Sequence, residues 1–235
     1  MAETQYPLTW NKDENKLYET GVKNVVLYLK DKVVETEGDT KGYPYALGVA
    51  WEGVTSISES PSGAEATALY ANDVKYLNLI SNEEFAASLE AYTYPDEFAE
   101  CDGSAELVTG VTIGQQPRKQ FGLCYTTTLG NAAEGNDHGE ILHLVYNCLA
   151  APSEKAYATI NDSPEAITFS WEISTTPEAV TGHRPTAIIK VNSTKVSEKQ
   201  FTALKDVLYG KGNVAPRLPL PNEVKTILEK AAASV

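Results

Sequence analysis

Between Gln120 and Trp171, apolar and polar residues change places at every second position, and this constrains the fold more than any other feature. Phe121, Leu123, Tyr125, Thr127 and Leu129 alternate with Gly122, Cys124, Thr126 and Thr128, the period that puts successive side chains on opposite sheet faces. The stretch Gly130 to Gly139 interrupts the run with glycines, asparagines and an aspartate, residues that tolerate left-handed backbone angles. Alternation resumes at Glu140, with Leu142, Leu144, Tyr146 and Cys148 expected on one face. A third run, Ala166 to Thr175, sets Ile167, Phe169, Trp171 and Ile173 against Thr168, Ser170, Glu172 and Ser174. The pattern predicts a hairpin followed by another strand, each with one apolar face, and places Trp171 and Phe169 in a core.

The flanks extend a β-rich reading. Val22 to Lys30 predicts a first strand with Val25, Leu27 and Leu29 facing one way and Val26 and Tyr28 the other. Both of its faces are therefore buried, within the chain or by a neighbouring subunit. Ala46 to Trp51 and Val54 to Glu59, separated by Glu52-Gly53, have the spacing of a tight hairpin. Ala66 to Leu69, Tyr76 to Ile80, Phe85 to Tyr94 and Ala187 to Val191 supply further strands. The segment from Pro95 to Glu100 opens like a short helical turn. The last quarter changes period. Ser197 and Gln200 form a capping box, Val196 and Phe201 the staple around it, and Phe201, Leu204 and Leu208 recur at helical spacing up to Gly210. Asn222 is expected to cap a second short helix carrying Val224, Ile227 and Leu228.

Composition excludes several function classes. A formal net charge of −13 argues against neutralising nucleic-acid phosphates. The plain reading of that charge is a solvated acidic surface. The sharper one is a wall along which a polyanion slides without sticking. The chain starts without a basic, apolar leader, and its longest uncharged apolar run, Leu142 to Pro152, is far short of the ~20 residues of a membrane helix. A soluble protein made in the cytosol, without membrane insertion, is expected. Of three cysteines, Cys124 and Cys148 lie inside strand patterns, where a reduced thiol acts as a small buried hydrophobe.

Chemistry-bearing constellations are weak. Asp137, His138, Glu140 and His143 lie within seven residues, but their spacing matches no zinc site. Asp96, Glu97, Glu100 and Asp102 lack the alternation of a calcium loop and are expected as a solvated acidic turn. No nucleophile–base pair stands in a convincing context. No catalytic residue, metal or cofactor is assigned.

A long ordered series of segments carries the functional expectation. It comprises Ala68 to Leu77 (ALYANDVKYL), Glu90 to Phe98 (EAYTYPDEF), Gly114-Gln115-Gln116 and Arg118 to Tyr125 (RKQFGLCY). It continues through Lys155 to Pro164 (KAYATINDSP), Phe169-Ser170-Trp171-Glu172 and Leu218-Pro219-Leu220-Pro221. From about Gly21 to Glu223 the chain resembles the major tail (tail tube) proteins of long-tailed phages and prophages of Gram-positive bacteria. The resemblance implies a single domain over residues 1–235, a β-sandwich or barrel-like tail-tube fold with a flanking amphipathic helix and a short C-terminal helix. It also implies homohexameric rings that stack into a hollow tube in the virion tail, assembled in the host cytoplasm. DNA would pass through without specific binding. The partners so implied are further copies of the chain and the tape-measure, tail terminator and distal tail proteins.

Under this reading residues 1–20 form an N-terminal arm, 31–63 an inter-ring loop or hairpin, and 211–235 a C-terminal extension. Tyr6, Trp10, Tyr43, Tyr45 and Trp51 become candidate inter-subunit contacts, and Glu172 a candidate lumen-facing acid. The alternatives are a carbohydrate- or surface-binding β-sandwich, which would present an exposed aromatic platform and stay monomeric, and a small hydrolase, which would need a cleft with perturbed acid–base groups.

Overall fold

The computed structural model describes residues 10–30, 43–152, 155–160, 162 and 166–233. Strand makes up 47% of it and helix 17%, so the mainly β expectation holds.

The chain begins with a 3-10 turn at Asp13–Asn15 and a long strand β1 (Leu17–Leu29). Next come β2 (Leu47–Ala50), β3 (Val54–Glu59), β4 (Ser62–Gly63), β5 (Ala66–Ala71), β6 (Val74–Ile80), β7 (Glu83–Glu84) and β8 (Ala86–Ala91). A 3-10 turn at Asp96–Phe98 leads into α1 (Ala99–Asp102) and the small pair β9 (Ala105–Val108) and β10 (Val111–Ile113). The remainder is β11 (Phe121–Asn131), β12 (Gly135–Ala150), β13 (Phe169–Thr175), β14 (Ile188–Asn192), α2 (Glu198–Tyr209) and α3 (Pro221–Ala233).

The main sheet runs β2-β1-β11-β12-β13-β8-β3, with β14 also paired to β12. Its two end strands, β2 and β3, are neighbours in the chain, joined only by Trp51 to Gly53. The sheet must therefore curl until its ends meet. Trp51 N–H donates to Val25 O and Tyr92 N–H to Gly53 O across that corner. The expected tight hairpin of Ala46–Trp51 with Val54–Glu59 is thus corrected: β2 pairs with β1, β3 with β8, and neither with the other.

Curling creates an inside and an outside. Val25, Leu27, Leu29, Phe121, Leu123, Leu89 and Trp171 point inward into one core, closed by Trp51, Phe98 and Cys101. Val26, Tyr28, Cys124, Leu142, Leu144 and Tyr146 point outward into a second core beneath α2 and α3. Both faces of β1 from Val25 to Leu29 are therefore buried by the chain itself, so the two-sided apolarity there is no argument for ring closure.

The helical layer is fastened by tyrosines whose hydroxyls reach backbone carbonyls, Tyr28 to Leu208 O at 2.7 Å and Tyr146 to Pro219 O at 2.9 Å. Gly122 makes room for it. A Cβ there would stand 2.4 Å from Leu218 Cδ2, closer than atoms approach. The Ser197–Gln200 capping box forms as expected. Asn222 does not cap α3. Pro221, whose missing N–H costs nothing at a first helical position, starts that helix, and the Asn222 side chain accepts from Thr181 N–H instead.

Two further corrections concern phase. Most of the glycine-rich interruption is strand: β11 runs to Asn131 and β12 starts at Gly135, leaving a three-residue turn. Cys148 does not share a face with Leu142, Leu144 and Tyr146. Asn147, at φ 49°, inserts a left-handed residue that reverses the alternation and turns Cys148 into the inner core. The Asn147 side chain is held on all sides, accepting from Tyr45 Oη and Lys30 Nζ and donating to Thr176 O and Glu178 Oε1.

Candidate assembly surfaces

The expected contact residues separate into three groups. Tyr6 lies outside the described residues. Trp10 is largely exposed. Tyr45 and Trp51 belong to the chain's own cores, Tyr45 under the helical layer and Trp51 with its ring 4.5 Å from that of Phe98. They have no surface to offer a neighbour, because closing the barrel consumes them. Tyr43 is half-buried, with the Arg217 guanidinium 3.9 Å over its ring. Of the expected 1–20 arm, residues 1–9 lie outside the described residues and Leu17 to Thr20 belong to β1. Of the 31–63 segment, residues 31–42 lie outside the described residues, and Tyr43 to Glu59 belong to the barrel rather than to a projecting loop.

What projects instead is the stretch from Ser62 to Glu84. The short β4–β7 pair forms its stem and the β5–β6 hairpin its blade. Asn72 and Asp73, at φ 51° and 61°, make the kind of turn whose twist matches two antiparallel strands. Among the described residues the blade pairs with no other strand, and both of its faces are open: Tyr70, Val74, Tyr76 and Ile80 are each more than 60% exposed, and Leu69, Leu77 and Leu79 are exposed as well. A two-stranded ribbon is marginal in water by itself. Exposed apolar area of this kind marks a contact site. The smaller β9–β10 hairpin presents Leu107, Val108 and Val111 in the same way. The two apolar runs were visible in the sequence; their detachment from the core was not.

The second surface is the outer face of β3, β8 and β13, which no helix among the described residues covers. Register places Ser56 and Ser58 beside Ser88 and Glu90, and these beside Ser170 and Glu172. The inward partners of the same strands are Ile57, Leu89 and Trp171, so the alternation is complete. Glu172 is exposed on this face, which combines short hydroxyls with acids and holds no basic side chain among these six positions.

A polar node sits at the root of the projecting arm, where β3 ends. His143 on β12 is buried, stacked on Tyr125 of β11 at 4.4 Å between ring centres. Its Nε2 lies 2.9 Å from Thr127 Oγ1 and 3.2 Å from Glu19 of β1. Its Nδ1 stands 3.2 Å from Glu59 of β3 but makes no hydrogen bond. Glu59 accepts from Tyr125 Oη and from Lys190 of β14, both at 2.7 Å. Burial raises the Glu59 carboxyl, but the Lys190 and Tyr125 hydrogen bonds outweigh it and leave the group below its ordinary value. Burial, then the Lys190 charge, holds His143 below 6.5 against the pull of Glu59 and Glu19.

A base whose folded value is depressed costs nothing above its unfolded value and loses stability as pH falls through it. The melting temperature should therefore start to fall near pH 6.5, before the carboxylates with ordinary values near 4.5 begin to titrate. His143→Gln should flatten the profile between about pH 7.5 and 5.5. Equal slopes for the two proteins in that window would remove His143 from the account.

Among the described residues no group of His, Cys, Asp and Glu is arranged to hold a metal ion. All three cysteines are buried and none forms a disulfide, and burial pushes the Cys124 thiol up to about 12. The expected solvated acidic turn is corrected at one position: Asp102 is buried, accepting from Trp171 Nε1 at 2.9 Å and paired with Lys155 at 3.1 Å. No helix among the described residues is long and apolar enough to cross a membrane. Compared with protein-family models and with curated proteins, the chain matches none.

Proposed function

We propose that this chain is a structural subunit that assembles with copies of itself into a hollow tube, the tail tube of a long-tailed phage or prophage, through which DNA passes to the host. The observation that carries the reading is the bare serine and glutamate face of β3, β8 and β13 on a barrel whose opposite side is sealed by helices. A wall for a moving polyanion needs short side chains and negative or neutral charge, so that phosphates are repelled rather than held. The exposed Ser62–Glu84 arm supplies the second requirement, apolar surface that the monomer leaves uncovered. The ordered resemblance from about Gly21 to Glu223 supports both. On this reading the protein works in the virion tail, beside tape-measure, terminator and distal tail proteins, and performs no turnover.

Electron micrographs of concentrated protein should show stacked rings with an open centre. Tubes of the wild type should exclude DNA, and tubes of Glu90→Lys/Glu172→Lys should retain it. A protein that stays monomeric at every concentration would overturn the proposal. That outcome would favour a carbohydrate-binding module, for which Tyr70 and Tyr76 offer two exposed aromatic rings on one hairpin.

A further inference from the structure

Charge is divided along this chain. Residues 190–235 hold eight lysines and arginines against four acids, a net +4, which leaves −17 on the first 189 residues. The positive part is the helical layer. Between β14, α2 and α3 it opens a groove of about 570 Å³, floored by Val191, Val196, Val224 and Leu228, with Lys195 and Lys225 exposed along it. β14 forms one wall and pairs only with β12 among the described strands, so its second edge carries no strand. An open edge beside an apolar trough is what an added β-strand requires: backbone groups for affinity and pockets for alternate side chains.

The projecting arm has the complementary properties. From Ser62 to Glu84 it carries Glu65, Asp73, Glu83 and Glu84 against the single Lys75, with leucines, tyrosines and an isoleucine exposed between them. Its strands of six and seven residues extend roughly 20 Å, and the twelve residues of α2 roughly 18 Å. The groove carries Lys195 and Lys225 against Glu229, with Lys190 at its rim held by Glu59. Two copies of a protein with net charge −13 repel each other unless contact joins opposite local charge.

We propose that the Ser62–Glu84 arm of one copy docks along the β14 edge and into the β14–α2–α3 groove of the next copy. The two surfaces differ, so the contact is head-to-tail. Each copy offers one arm and one groove, and the contact propagates into a ring or a filament instead of stopping at a dimer. This inference rests on the self-assembly reading above and adds which surfaces meet.

The test uses full-length chains in two variants, Leu77→Cys on the arm and Leu228→Cys in the groove. The native Cys101, Cys124 and Cys148 are buried, so wild type serves as the silent control. Mixed and oxidised under assembly conditions, the two variants should form a disulfide-linked pair with one chain of each kind. Lys195→Glu/Lys225→Glu should lower the assembled fraction by at least about tenfold, and mixing it with Glu65→Lys/Glu83→Lys/Glu84→Lys should restore assembly, which a misfolded variant would not. Tubes that form without the mixed disulfide and ignore both charge reversals would overturn this contact and leave the tube reading standing. Wild-type protein that never associates would overturn both.

Discussion

Replacing Trp171 by alanine is expected to cost about 3–5 kcal/mol of stability, measured as a shift in the denaturant midpoint at unchanged slope. Trp171 is fully buried at the centre of β13. Its ring lies 5.2 Å from Phe98, 5.5 Å from Trp51 and 5.6 Å from Tyr94, all edge-on, the arrangement in which a positive ring edge meets a negative face. Those partners come from the corner that closes the barrel, from the turn before α1 and from the segment after β8. Truncation therefore opens a cavity among elements far apart in sequence, and none can move in to fill it without releasing others. Phe169→Ala should cost less, because Phe169 is only half-buried at the strand's first position. A loss below about 1 kcal/mol at Trp171 would mean that the interior of the barrel is not where its side chain resides.

The period-two pattern revealed which residues share a face within each strand, because that depends only on the pleat. Leu27 and Leu29 are inside and Tyr28 outside, as the alternation of β1 implies. It could not reveal which strands meet. Glu52-Gly53 is as good a connection for a barrel corner as for a hairpin, and only the long-range pairing of β2 with β1 and β3 with β8 separates the two. Nor is a reversal of phase visible when one asparagine causes it, since Asn147 looks like any polar residue in a strand until its backbone turns left-handed.

The assembly surfaces were harder still. Tyr45 and Trp51 have the composition of contact residues, large aromatics among glycines, and so do Tyr70 and Tyr76. Burial distinguishes them: the first pair faces cores built from elements a hundred residues away, while the second stands on a blade that pairs with no other described strand. The serine and glutamate face was partly legible, because Glu172 falls on the polar side of the clearest strand. Its neighbours Ser88 and Glu90 join it only through the register of β8 with β13.

Asp102 tests whether that inner core depends on a charge. It ends α1, a poor place for an acid because the carbonyl end of a helix is already negative. Two donors hold it there, Trp171 Nε1 at 2.9 Å and Lys155 Nζ at 3.1 Å, and Arg118 adds an ion pair at 3.7 Å. Arg118 in turn donates to Ala150 O, and the Lys155 ammonium lies 5.4 Å over the Tyr94 ring. Asp102→Ala strands the buried indole N–H and leaves two cations facing an apolar gap. Both cations keep partial access to water, so the loss should be about 2–4 kcal/mol rather than the full cost of an orphaned buried charge. Asp102→Asn keeps an acceptor for the indole and loses only the charge, so about half of that is expected. In a double-mutant cycle with Trp171→Phe, a coupling of about 0.5–3 kcal/mol should appear, because both changes remove the same hydrogen bond. Additive losses would show that Asp102 serves its cations alone, and the tryptophan would then owe its place to packing without help from the acid.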